Sequence, residues 1–188
     1  MLVLCDTCVI LMLLRIAPDM FINEEYGCIT VNAVWKEFTR TQKFKTKYPW
    51  RNNYKKHIKS KPNAEVKNKD FDLTLDTVSM INGSSNNTRT KRRYGLSPVD
   101  CEIAAIVAHN NFSVSTVDRN LGEFIEQQYD CINHEPLELV NIWITKKLIE
   151  WDVNKQTILD DWIICEEKYP TRKAIREFQK LTDYKFPK

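Results

Sequence analysis

Nine residues near the start of the chain, VLCDTCVIL, constrain the fold most. In them a single carboxylate, Asp6, breaks an otherwise apolar run. Residues 2–5 read as a buried strand, and residues 7–16 as an apolar helix that Pro18 ends. A charge at such a junction needs partners, because an unpaired buried carboxylate is far too costly to keep ionised. The apolar run is also much shorter than the roughly 20 residues that span a bilayer. It lacks the basic leader of a secretory signal, so the expected compartment is the cytosol, with no membrane partner.

The alternation continues along the chain. Residues 27–31 read as a second strand, after which Asn32 is expected to cap a helix carrying Val34, Trp35 and Phe38. Residues 65–81 read as a helix, and residues 82–96 (NGSSNNTRTKRRYGL) as a mobile, turn-rich loop. Ser97-Pro98 is a strong helix start, with Ser as cap and Pro in the first turn, for a helix to about His109. Residues 112–116 then read as a strand, 121–127 as a helix, 129–132 as a strand and 136–149 as a helix. Two more helices are expected near residues 156–168 and 171–181. Strands alternating with helices predict the α/β class, with a parallel sheet covered on both faces. Residues 1–148 form the expected main domain, with a basic insertion at about 38–96. Residues 149–188 form a helical extension.

Net charge is only +3, from 28 basic and 25 acidic residues, but it is unevenly spread. Between Phe38 and Ala64 there is no acid, while Arg40, Lys43, Lys45, Lys47, Arg51, Lys55, Lys56, Lys59 and Lys61 all fall there. Arg89, Lys91, Arg92 and Arg93 form a second knot. Acids gather elsewhere, at Asp160, Asp161, Glu166 and Glu167. The basic stretch is either a solvated face or a phosphate-binding stripe. Tyr48, Trp50, Tyr54 and His57 interleave with it, as stacking partners for unpaired bases or as core anchors. The six cysteines are read as reduced, and the Cys5-x-x-Cys8 pair as buried packing.

In a doubly wound sheet, ligands bind beyond the carboxyl ends of the strands. Asp6 follows the first strand and Asp118 follows the strand FSVST. Glu37 lies on the helix after the second strand, and Asp100 in the first turn begun by SPVD. Three have an ordinary alternative, Asp100 complementing a helix dipole, Asp118 capping a helix and Glu37 facing solvent, while Asp6 is the hardest to explain that way. Taken together, four carboxylates and no clustered thiolate or imidazole make a hard oxygen site, which suits Mg²⁺ or Mn²⁺ and phosphodiester chemistry.

These residues resemble the PIN-domain nucleases. The likeness rests on Asp6-Thr7 after the first strand, Glu37, GLSPVDCEIAAIVAHN around Asp100, and Thr116-x-Asp118 in STVDRNL. It implies a Rossmann-like α/β/α sandwich and a metal-dependent ribonuclease, with Asp6, Glu37, Asp100 and Asp118 on Mg²⁺ or Mn²⁺ and Thr116 beside them. It implies RNA as substrate. It also implies that the chain is the toxin of a toxin–antitoxin pair, with an antitoxin and a second copy as partners, or an RNA-processing enzyme. The basic residues Arg40, Lys43, Lys45, Lys47, Arg51, Lys55, Lys56, Arg92 and Arg93 would hold the RNA. Cys8 stands where the family often has Asn, and the helical extension lies outside the minimal family core. Two alternatives are a catalytically weak RNA- or protein-binding module and a structure-specific DNA nuclease.

Overall fold

A computed structural model describes residues 2–59, 69–165 and 167–187. Lys61, the side chain of Lys59, residues 65–68 of the expected helix, and Glu166 lie outside the described residues.

The apolar head of the chain forms β1 (Val3–Cys5), the central strand of a three-stranded parallel sheet. β2 (Cys28–Ile29) pairs on one side, with Val3 opposite Cys28, and β3 (Ser113–Ser115) on the other, with Leu4 opposite Val114. All of β1 is buried, as a strand covered on both faces requires. The crossovers from β1 to β2 and from β2 back across to β3 run in opposite directions. The protein is thus mixed α/β and mostly helical around a small parallel sheet.

α1 (Thr7–Leu13) starts directly after Asp6, whose Oδ1 accepts a hydrogen bond from the Val9 N–H at 2.8 Å. Every residue of α1 is buried except Cys8. Burial of the Cys-x-x-Cys pair therefore holds for Cys5 and fails for Cys8, which lies on the one open side of the helix. α2 (Asn32–Arg40) begins one residue earlier than expected: Val31 is the extended cap residue and Asn32 the first helical one. The basic segment winds into α3 (Lys43–Lys47), a tight 3-10 stretch (Pro49–Tyr54) and α4 (Lys55–Lys59). α5 (Lys69–Ser84) packs along α6 (Pro98–Asn110), which Ser97 and Asp100 open with a reciprocal capping box.

Residues 85–96 are not the loose loop that their polarity implies. The Asn87 side chain is buried and donates to Glu123, while its Oδ1 accepts from the Arg89 and Thr90 N–H groups at 2.8 and 3.1 Å. Tyr94 is fully buried, donates to Gln127 at 2.7 Å, and sits edge-on to Phe124. Turn-forming residues here serve a docked knot on α7 (Arg119–Tyr129).

The strand expected at residues 129–132 reduces to one parallel bridge between Val114 and Asn133. Asp130, in the left-handed conformation, ends α7, and Glu135 already caps α8 (Pro136–Thr145), so too few residues remain for a longer ladder. α9 (Val153–Ile164) and α10 (Arg172–Thr182) join the same core through Leu159, Trp162, Ala174 and Phe178. Trp162 donates to the Met12 carbonyl and Asn141 to the Ala174 carbonyl. Among the described residues no helix is long and apolar enough to cross a membrane.

Asn87→Ala removes one partner of the buried Glu123 carboxylate, which keeps Arg89 and Arg119, and leaves two turn N–H groups without theirs, a loss of about 2 kcal/mol. The expected result is a melting temperature lower by roughly 4–8 °C in a thermal scan. An unchanged melting temperature would show the knot to be loosely attached.

Candidate functional site

Where the sheet order reverses beside β1, a crevice opens at the strands' carboxyl ends. β1 leads into Asp6 and β3 into Thr116 and Asp118, and the Asp6 N–H donates to the Ser115 carbonyl at 3.2 Å. The buried Thr116 hydroxyl donates to Asp6 Oδ2 and accepts from the Asp118 N–H at 3.0 Å. One hydroxyl therefore ties together the acids that follow two strands. On the other side, Thr7 at the start of α1 donates to Glu37 Oε2 on α2. Asp100 Oδ2 accepts from both the N–H and the hydroxyl of Ser97, at 3.1 and 2.7 Å.

Asp6, Glu37, Asp100 and Asp118 all line one cleft of about 410 Å³, together with Thr7, Cys8 and Lys43. The expected convergence of four acids from four elements is present. The ordinary readings of two of them hold as well: Asp118 Oδ1 caps α7 through the Leu121 N–H at 3.0 Å, and Asp100 belongs to its capping box. Asp118 Oδ2, Asp100 Oδ1 and Glu37 Oε1 accept no hydrogen bond among the described residues.

The cleft carries excess negative charge. Burial raises the Asp6 carboxyl from its ordinary 3.8 to about 6, against the lowering pull of Thr116 and of the Val9 and Val117 N–H groups, and Asp100 adds to the rise. The Cys8 thiol at the rim is pushed up to about 12 by the protein around it, then by Asp6, Glu167 and Glu37, with Lys43 opposing. Among the described residues no three acidic, His or Cys groups stand close enough to form a ready cation cage. Mg²⁺ does not need one, since it usually keeps several waters and binds through one or two carboxylates. The donor set here is hard oxygen, with one open oxygen on each of Glu37, Asp100 and Asp118.

The basic residues separate. Arg40, Lys45, Lys56, Arg92 and Arg93 are exposed, and Lys55 is half-buried. Lys43 lines the acid cleft itself, with its ammonium 5.2 Å from the centre of the Phe44 ring. Lys47 pairs with Glu167 at 3.4 Å. Arg51 is a correction: it is 1% exposed and donates to the Thr41 and Thr39 carbonyls, so it cannot reach a phosphate. The aromatics are core anchors instead of a stacking platform. Phe44, Tyr48, Trp50 and Tyr54 meet edge to face in series at 5.7–6.0 Å, and the Tyr48 hydroxyl donates to Glu167.

Comparison with family models, curated proteins and solved structures returned no match. The site is therefore read from its own geometry.

Sequence reasoning missed the hydroxyls of Thr7 and Ser97 as partners of Glu37 and Asp100. It also missed Asn133, whose Oδ1 accepts from the Thr116 N–H at 3.1 Å. The Ser97-x-x-Asp100 spacing was a usable signal for one pair, but nothing local marks Asn133.

A raised native pKa means that folded Asp6 keeps its proton between pH 3.8 and about 6, where the unfolded chain has released it. Stability falls as pH rises through that window, and the penalty, about 3 kcal/mol, is complete above it. Asp6→Asn retains a helix-capping oxygen and removes the charge. In metal-free buffer it is expected to melt roughly 5 °C above wild type at pH 7.5, with the gap closing at acid pH. A gap that is the same at both pH values would contradict the buried charge.

Proposed function

We propose that this chain is a divalent-metal-dependent endoribonuclease with a PIN-like, Rossmann-type α/β/α arrangement. The observation that carries the reading is the convergence of Asp6, Glu37, Asp100 and Asp118 on one cleft at the carboxyl ends of β1 and β3. Hydrolysis joins a water oxygen to phosphorus and releases the 3′ oxygen, which takes up a proton. The four acids would hold Mg²⁺ or Mn²⁺, which when bound neutralises phosphoryl charge and makes a water molecule nucleophilic. Thr116 fixes Asp6 and Asp118 relative to each other, so that the open oxygen of Asp118 keeps its place. Thr7 does the same for Glu37 across the cleft. Lys43 on the cleft wall is a cation for a non-bridging phosphate oxygen, and the exposed Arg40, Lys45, Arg92 and Arg93 supply backbone attraction.

Cys8 favours a second reading. A thiol with a raised pKa at the rim, where the resembled family often places an amide, offers less to a polar ligand. On that reading the chain binds RNA without cutting it.

End-labelled RNAs and single-stranded DNAs, incubated with Mn²⁺, Mg²⁺ or EDTA, separate the two. RNA cleavage that needs metal and falls roughly a hundredfold or more in Asp118→Asn is the expected outcome. Absence of cleavage, with equal salt-sensitive RNA binding by both proteins, overturns the nuclease.

A further inference from the structure

A second cavity, of about 360 Å³, lies beside the acid cleft and shares Asp118 with it. That volume is in the range of pockets that enclose small ligands, roughly 300–1,000 Å³. Its walls come from parts of the chain far apart in sequence. Thr116 and Asn133 form the inner end, Arg119 stands on the first turn of α7, and Lys168 and Tyr169 come from the segment between α9 and α10.

Each wall is held in place. The Asn133 amide is oriented by its Oδ1, which accepts from the Thr116 N–H. Its Nδ2 lies against Gly122, where an added Cβ would come within 2.5 Å of it, so glycine is what leaves room for that donor. Arg119 Nε donates to the buried Glu123 at 3.0 Å, which fixes the guanidinium and leaves its terminal nitrogens unbonded among the described residues. The C-terminal segment is pinned where Thr171 donates through both N–H and hydroxyl to Glu135 Oε2, each at 3.0 Å. Tyr169 leans on Phe186 at 5.4 Å and remains 54% exposed.

Of the four acids of this cavity three have partners, and Asp118 caps α7 through one oxygen. Glu123 is taken up by Asn87, Arg89 and Arg119, Glu126 is 4.0 Å from Arg89, and Glu135 serves Thr171. Arg119, Lys168, the open oxygen of Asp118, an amide donor and an open aromatic ring line the space, with Arg89 drawn to Glu123 and Glu126. That combination matches a phosphate joined to a planar, hydrogen-bonding base.

We propose that this cavity holds the nucleotide next to the scissile phosphate of a single-stranded RNA. Its phosphate lies by Arg119 and Lys168, and its base lies on Tyr169 within reach of the Asn133 amide. The position relative to the scissile bond rests on the nuclease reading; the cavity's chemistry does not. An unpaired strand is required because a base must leave its stack to enter. The C-terminal extension, outside the resembled family core, thereby supplies one wall of the substrate groove.

Fluorescence anisotropy with a labelled RNA octamer in EDTA reads binding apart from cleavage. Lys168→Glu and Tyr169→Ala are each expected to weaken binding roughly tenfold, the size of losing one stacked base or a close phosphate contact. Lys180→Glu makes the same charge change on the exposed side of α10 and is expected to stay within about twofold of wild type. Losses no larger than that of Lys180→Glu, no RNA binding by wild type, or equal binding of the matching DNA octamer overturns the proposal. Cleavage by wild type that both variants retain in full sinks this cavity and spares the nuclease. Binding sensitive to Lys168 and Tyr169, without any cleavage, does the reverse.

Discussion

The hydroxyl of Thr116 is the interaction on which the rest of this site depends. It donates to Asp6, accepts from the backbone of Asp118, and so joins the ends of β1 and β3 at the point where the sheet changes direction. Asp6 is 8% exposed among apolar neighbours, a position that a carboxylate keeps only with partners. Its partners are that hydroxyl and the N–H groups of Val9 at the start of α1 and of Val117 after β3. The same contacts that make the charge tolerable also aim the neighbouring acids into one cleft. Packing and site construction are one problem here.

The arrangement trades stability for charge. Burial and the neighbouring Asp100 leave Asp6 reluctant to ionise. Glu37, Asp100 and Asp118 each give one oxygen to a hydroxyl or a helix cap and leave the other open. Locally satisfied yet collectively short of positive charge, the cleft has Lys43 as the cation on its wall. Such a deficit is what a hard divalent ion relieves. Of the described cations that the sequence concentrates in residues 38–64, Lys43 alone lines the cleft. Arg51 is spent on carbonyls, Lys47 on Glu167, and several others face solvent.

Much of this is legible in the amino-acid sequence alone. A short apolar strand, one acid and an apolar helix define β1, Asp6 and α1 with little freedom. The Ser97-Pro98 start of α6 follows from capping chemistry alone. What is not legible depends on distant partners. The polar segment around Asn87 looks like a free loop until Glu123, 36 residues away, accepts its amide. Arg51 looks like a surface cation because its carbonyl partners are invisible in a charge pattern. Tyr48 and Trp50 could serve a base or a core, and only the packed series of rings decides. The strand near residue 131 shrinks to one bridge because two helix caps compete for the same few residues.

The central claim is that the four-acid cleft is completed by a divalent cation. Thermal unfolding at pH 7.5, in EDTA and in millimolar Mn²⁺, tests it directly in wild type and in an Asp100→Asn, Asp118→Asn double variant. Binding to the folded state alone raises the wild-type melting temperature. That rise is expected to shrink at pH 5, where Asp6, with its pKa of about 6, holds a proton. The double variant is expected to show little response to Mn²⁺. A wild-type melting temperature that Mn²⁺ leaves unmoved, or an equal rise in the double variant, would contradict the account.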